Sequence, residues 1–106
     1  MEQRSFADRT LQNVKGADAT IIIYFRDLRG GTEDTLNCCI ELAKPHCLID
    51  AAEISEKDAA TVIVDLVREH NVSTLNVAGP RKSEWPDGYD YAYRVLDIFL
   101  TRSAEL

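Results

Sequence analysis

The run of residues from Ala19 to Phe25, ATIIIYF, constrains the fold of this chain more than any other segment. It is short, β-branched and unalternated, which is typical of a strand buried on both faces of a parallel sheet. Segments 46–51 and 73–78 predict two further short strands, and helical patterns separate all three. Strands that alternate with helices pair in parallel through right-handed crossovers, so the pattern predicts a small three-layer α/β unit. With ATIIIYF in the centre, the strand order is 2-1-3, with helices on both faces.

Four helices are predicted, over 4–15, 33–44, 55–70 and 89–102. Gly16 ends the first helix, Thr32 is the expected N-cap of the second, and Pro45 stops it. The inward face of the second helix is predicted to hold Leu36, Cys39, Ile40 and Ala43. Segment 79–88 is rich in turn residues and is predicted to be a loop.

The last helix carries a wide apolar stripe, which indicates that another chain covers part of it. The stripe consists of Tyr89, Ala92, Tyr93, Leu96, Phe99 and Leu100. Both outer strands of a three-stranded sheet also have edges that need covering. We therefore expect a homo-oligomer.

The length and charge of the chain narrow the classes of function. A chain of 106 residues is expected to form a single domain, residues 1–106. Its 18 acidic residues outnumber 12 lysines and arginines, and the net charge of −6 disfavours nucleic acid as a partner. No apolar run approaches the roughly 20 residues that span a bilayer, and the N-terminus is polar. We expect no membrane association and a cytoplasmic location.

Two loops are predicted to meet at the carboxyl ends of the strands, where open α/β sheets bind ligands. The first holds Gly30, Gly31 and Thr32, and paired glycines before a helix N-terminus can cradle a phosphate. The same residues equally suit a tight turn before an N-capped helix. Glu33 and Asp34 favour that simpler interpretation, because carboxylates in the first turn would repel a phosphate.

The second loop follows the third strand and includes Gly79, Pro80, Arg81, Lys82 and Ser83. Arg81 offers a planar fork suited to phosphate or carboxylate, although it could equally be a solvated surface charge.

Two polar side chains on the strands complete the candidate set. Asn76 lies within an apolar strand, where its amide must find partners, and it either binds ligand or ties down a neighbouring loop. Asp50 ends the second strand and could accept a ribose hydroxyl, but we favour a role in capping the next loop.

No convincing catalytic constellation is found. His46 and His70 share no plausible face with a cysteine, and Cys38, Cys39 and Cys47 are expected to be small core residues. Metal-ligand spacings such as CxxC or HxxxH do not occur. The sequence therefore favours a binding protein over an enzyme.

The chain resembles the putative molybdenum carrier proteins, a permuted branch of the SLOG Rossmann-like superfamily that includes the LOG-type nucleotide-processing proteins. The most specific part of the resemblance is residues 75–83, LNVAGPRKS, and it extends over about residues 6–100. It also covers Arg9-Thr10, Asn13-Val14, 17–22, Gly30-Gly31-Thr32 and the strand end at Asp50.

The resemblance implies a Rossmann-like fold, a cytoplasmic oligomer and a nucleotide or pterin-phosphate ligand, with molybdenum cofactor the suggested cargo. Carried over by position, the ligand-binding residues are Gly30, Gly31, Thr32, Asn76, Gly79, Pro80, Arg81 and Ser83.

The chain departs from this family in lacking a counterpart of its first strand and GGQTG-like loop. A partner polypeptide, a second copy or a loss of binding would each account for the difference. Three functions follow: a phosphate-ligand binding protein, a ligand-free interaction or regulatory module, and a LOG-like phosphoribohydrolase that would use Glu33.

Overall fold

The computed structural model describes residues 7–79 and 87–104 of the chain. Within these ranges the chain forms four helices and three strands that alternate along the sequence. The elements are α1 (Asp8–Gly16), β1 (Ala19–Tyr24), α2 (Gly30–Glu41), β2 (His46–Asp50), α3 (Glu56–His70), β3 (Leu75–Ala78) and α4 (Gly88–Ala104). The strands form one parallel sheet in the order β2-β1-β3, as predicted.

Strand β1 is the centre of the fold because its β-branched side chains are buried on both faces. Ile21, Ile22 and Ile23 are each at most 1% exposed. Its neighbours are set in register by the pairs Ile21↔Cys47 and Ile21↔Val77. The unalternated apolar run is thus explained by helices that cover both faces of the strand.

The two faces of the sheet are covered by different helix pairs. On one face α3 packs against β1 and β2, and α4 packs against α3, around a core that includes Ile21, Ile49 and Ile63. On the other face α2 packs against β1, and α1 lies beside α2 around Val14, Cys38 and Cys39. The three-layer prediction is therefore confirmed.

The start of α2 differs from its prediction. The helix begins at Gly30, three residues earlier than expected, with Arg29 rather than Thr32 at the N-cap. Gly30 has a φ of 56°, a left-handed conformation that glycine adopts without strain. This residue therefore lets the loop after β1 turn sharply into the helix.

The inward faces of two helices were also predicted incorrectly in part. In α2, Thr35, Cys38 and Cys39 are buried, whereas Ile40 is 59% exposed. In α4, Tyr91 and Val95 enter the core, and Ala92 and Phe99 pack against it. Tyr89, Tyr93 and Leu100, assigned to one apolar stripe, remain exposed. Because apolar residues occur on both the packed and the exposed sides of α4, periodicity could not identify the side that packs.

Asp50 has the loop-capping role that the sequence favoured. Its Oδ1 atom accepts hydrogen bonds from the backbone amides of Arg26 and Ala52, each at 2.9 Å. These bonds join the turns that follow β1 and β2, and they support the left-handed Arg26, whose φ is 69°. The two hydrogen bonds that Asp50 accepts therefore hold these turns together at the carboxyl edge of the sheet.

None of the helices within residues 7–79 and 87–104 combines the length and apolar character needed to cross a bilayer.

Candidate ligand-binding cleft

A cleft of about 650 Å³ lies at the carboxyl end of the sheet, on the face covered by α1 and α2. It is bounded by the N-terminal turns of both helices and by the end of β3. The described residues that line it are Ala7, Arg9, Thr10, Asn13, Gly30, Gly31, Asp34, Thr35, Asn76, Val77, Ala78 and Gly79. The start of α2 and the end of β3 therefore share one hollow, as the predicted strand order requires.

Two helix N-termini open onto this cleft. Neither α1 nor α2 has a side-chain hydrogen bond that caps its first amides in the described part of the chain. In α1 the backbone amide of Leu11 donates to the Ala7 carbonyl at 3.0 Å, so the amides of residues 8–10 precede the first helical bond. In α2 the amides of residues 30–32 likewise precede the first helical hydrogen bond. Amides without a helical partner and two positive dipole ends suit an anion.

The structure brings together four of the predicted binding residues. Gly30 and Gly31 line one wall of the cleft, and Asn76 and Gly79 line another. An ideal Cβ on Gly31 would meet no atom within 4 Å, so its backbone stands open to the cleft. Pro80, Arg81 and Ser83, also predicted, lie outside the described residues.

Thr32 has a structural role in the turn before α2. It is buried, it does not line the cleft, and its Oγ1 donates to the Arg29 carbonyl at 2.8 Å. The same oxygen accepts from the Arg29 amide at 3.4 Å. The hydroxyl therefore closes the turn before α2, while the backbone amide of Thr32 stays in the uncapped first turn.

Asn76 is half-buried and joins the cleft to the centre of the sheet. Its Nδ2 donates to Thr20 Oγ1 at 3.4 Å, a bond between neighbouring strands on the α1–α2 face. Asn76 also lines a second hollow of about 270 Å³ between α1 and the start of β3. Its amide thus has both a structural partner and access to two hollows.

Sequence reasoning missed the polar contribution of α1 and of Thr35. Arg9 and Asn13 stand one helical turn apart and face the cleft with Thr10. Thr35 Oγ1 donates to the Gly31 carbonyl at 2.8 Å, which holds the first turn of α2. The i, i+4 spacings of Arg9 with Asn13 and of Gly31 with Thr35 were visible, but only the tertiary fold places both sets on one cleft.

The charges in the cleft are mixed. Arg9 and Asp34 line it with opposite signs, and Asp34 has no ion-pair partner within 4 Å among the described residues. Arg29 instead approaches Asp27 at 3.8 Å, and both of those side chains are largely exposed. Glu33, the glutamate that a hydrolase would use, is exposed and does not line the cleft.

The cysteines are unsuited to nucleophilic chemistry. Cys38 and Cys39 are fully buried, and burial raises the pKa of both thiols. Burial also raises the pKa of Cys47 to about 11. Within residues 7–79 and 87–104, no group of three or more His, Cys, Asp or Glu side chains could hold a metal ion.

The sequence of residues 1–100 matches the model of the circularly permutated YpsA SLOG family. The chain belongs to this family. Its fold is similar to the crystal structure of a putative molybdenum carrier protein from Syntrophus aciditrophicus, with a TM-score of 0.86 and 36% sequence identity. The resemblance inferred from the sequence is therefore confirmed.

The match to that crystal structure covers 94% of this chain and 63% of the Syntrophus chain. This chain thus spans less than two thirds of the length of that Syntrophus chain. No curated protein sequence matches it.

Proposed function

We propose that this SLOG protein binds a phosphate-bearing nucleotide or pterin in the cleft between α1, α2 and β3, and acts as a carrier rather than an enzyme. The observation that carries the proposal is the convergence of two uncapped helix N-termini and the end of β3 on one cleft. A volume of about 650 Å³ lies within the range of small-molecule sites.

The phosphate would lie against the first-turn amides of α2 near Gly30 and Gly31. These amides offer hydrogen-bond donors and the positive end of a helix dipole, and Gly31 adds no side chain that would keep the phosphate away. Arg9, on the facing wall, would supply a full positive charge. From the sequence, Arg81 and Ser83 would add further donors, next to Pro80.

The pterin class is supported by the name of the similar structure, a putative molybdenum carrier protein. A pterin cofactor that carries molybdenum would be the cargo of such a carrier. The donor set fits its phosphate, since amides and Arg9 favour an anion. Phosphorylated nucleotides and pterins are intracellular metabolites, so the proposal includes a cytoplasmic location.

Isothermal titration calorimetry would test the proposal with GMP, AMP, 6-hydroxymethylpterin phosphate and inorganic phosphate. We expect wild-type protein to bind at least one of the organic phosphates. Gly31→Asp would place a carboxylate beside the phosphate and weaken binding by about tenfold or more. Gly16→Asp is the matched control, because Gly16 lies at the other end of α1 and also has open space around its Cβ.

Arg81→Ala tests the contribution of the loop after β3 in the same titrations. A loss of affinity is expected if Arg81 contacts the phosphate. Absence of binding by wild-type protein at millimolar ligand would contradict the proposal. Unchanged affinity in both Gly31→Asp and Arg81→Ala would contradict the placement of the phosphate.

A second candidate function, a protein-interaction module, is favoured by the exposed side of α4. Tyr89 and Tyr93 stack with ring centroids 6.4 Å apart, and both are well exposed. Leu100, about two helical turns after Tyr93, is exposed as well. We propose that this side is covered in a homo-oligomer. Light scattering after gel filtration should give a mass above that of the monomer, and Tyr93→Lys should reduce it. A monomeric wild-type protein would contradict this candidate without affecting the ligand proposal.

A further inference from the structure

Asp34 is the one acidic side chain among the described residues that line the cleft. It lies on α2 one turn after Gly30, and it is exposed. No described side chain forms an ion pair with it, although Arg9 lines the same cleft. No described side chain therefore competes with a ligand for its carboxylate.

A carboxylate in this position should weaken the binding of a simple anion. Two like charges several ångströms apart repel each other, and the solvent around the exposed Asp34 screens the effect only in part. Four residues of helix advance about 6 Å along the axis, so a ligand that contacts both Gly30 and Asp34 has to extend along the helix. A ligand can bind both the first-turn amides of α2 and the Asp34 carboxylate only if it has a phosphate at one end and hydrogen-bond donors at the other.

The positions of the hydrogen-bond donors on the ligand then determine how well the carboxylate binds it. A carboxylate is acceptor-only and can take two parallel N–H bonds. Guanine presents such a pair in its ring N1–H and its 2-amino group, and a pterin presents the same pair in N3–H and its 2-amino group. Adenine places an acceptor nitrogen beside its amino group, so its second contact with a carboxylate is repulsive.

We infer that Asp34 is a specificity-determining residue that selects ligands with the 2-amino-4-oxopyrimidine edge shared by guanine and pterins. This inference rests on the proposed function, since it assumes that the phosphate lies at the start of α2. It predicts a preference among nucleoside monophosphates that differ only in the base.

Calorimetry with GMP, IMP and AMP tests the inference. IMP keeps the ring N–H of guanine but lacks the 2-amino group, so it can make one of the two bonds. Wild-type protein should bind GMP about tenfold or more tightly than AMP, with IMP between them. Asp34→Asn replaces one acceptor by a donor, a pattern that matches adenine. The variant should bind AMP at least as tightly as GMP.

Glu33→Gln is the matched control. It removes the same charge from the neighbouring residue of the same helix, but Glu33 does not line the cleft. The ratio of GMP to AMP affinity should stay at its wild-type value in this variant.

Two results would overturn the inference while leaving the proposed function intact. One is equal affinity of wild-type protein for GMP and AMP. The other is a rise in affinity for both nucleotides by the same factor in Asp34→Asn, which is the result expected if Asp34 only repels phosphate. If wild-type protein binds none of the three nucleotides and no pterin phosphate, the proposed function fails and the inference fails with it.

Discussion

Asp18 and Thr74, which are 56 residues apart, are joined by a hydrogen bond from the Thr74 amide to Asp18 Oδ2 at 2.9 Å. The Ser73 amide donates to the same oxygen at 2.8 Å, and the Asp18 amide donates to the Thr74 carbonyl at 2.8 Å. These three bonds join the start of β1 to the start of β3. They therefore set the register that carries Asn76 and Gly79 to the cleft.

The charge on Asp18 should make stability depend on pH. The two backbone hydrogen bonds from Thr74 and Ser73 lower the pKa of its carboxyl below the ordinary value. A lowered folded-state pKa stabilises the protein above the unfolded value of about 3.9, and this contribution is lost as pH falls through the folded value. Asp18→Asn keeps an acceptor oxygen but no longer titrates.

We expect Asp18→Asn to be less stable than wild type at pH 7, with the difference shrinking as pH falls below about 4. Chemical denaturation at a series of pH values measures this. Asp65→Asn, on the exposed side of α3, is the control and should track wild type throughout. A difference between Asp18→Asn and wild type that stays constant with pH would show that the carboxylate charge is not involved.

Gly30 and Gly31 should respond oppositely to the same substitution. Gly30→Ala forces a Cβ onto a left-handed residue with φ of 56° and should cost about 1–2 kcal/mol. The Cβ of Gly31→Ala would have no atom within 4 Å, and alanine lowers the conformational entropy of the unfolded chain. This variant should therefore be more stable by about 0.5–1 kcal/mol. Thermal denaturation of the two variants checks the pair. Equal effects would mean that the turn before α2 does not need a left-handed residue.

The strand order and the layers could be predicted from the sequence because the signals are local. Seven residues of ATIIIYF identify β1 as central, and Gly16 ends α1 as predicted, whereas α2 ends at Glu41, before Pro45. The family resemblance pointed to Gly30, Gly31, Asn76 and Gly79, and the parallel order brings those loops to one edge.

The features that the sequence analysis missed or assigned wrongly depend on tertiary contacts. Arg9 and Asn13 are ordinary polar residues on an amphipathic helix until α1 is placed beside α2. Thr32 is the N-cap expected from the sequence, and only the fold of the preceding turn shows that Arg29 holds that position. The packed side of α4 is decided by the space beside α3.

The same substitution at Ile63 and at Ile40 tests which helix positions are packed in the core. Ile63 is fully buried against β1, whereas Ile40 is 59% exposed although its helix spacing suggested an inward position. Ile63→Ala should therefore cost about 2–5 kcal/mol through lost burial and a cavity. Ile40→Ala should change the free energy of unfolding by no more than about 0.5 kcal/mol. Urea denaturation measures both, and a large loss in Ile40→Ala would place that side chain in an interface or in the core.

The three cysteines should resist alkylation in the folded protein. Burial raises the pKa of Cys38 and Cys39, and it raises that of Cys47 to about 11. At pH 8 a thiol with that value is about 0.1% thiolate, against roughly a quarter for an ordinary cysteine of pKa 8.5. Iodoacetamide should therefore label Cys47 more than about 100-fold more slowly in native protein than in guanidinium, as followed by mass spectrometry of its peptide. Rapid native labelling at any of the three positions would show that the corresponding thiol is not held in the core.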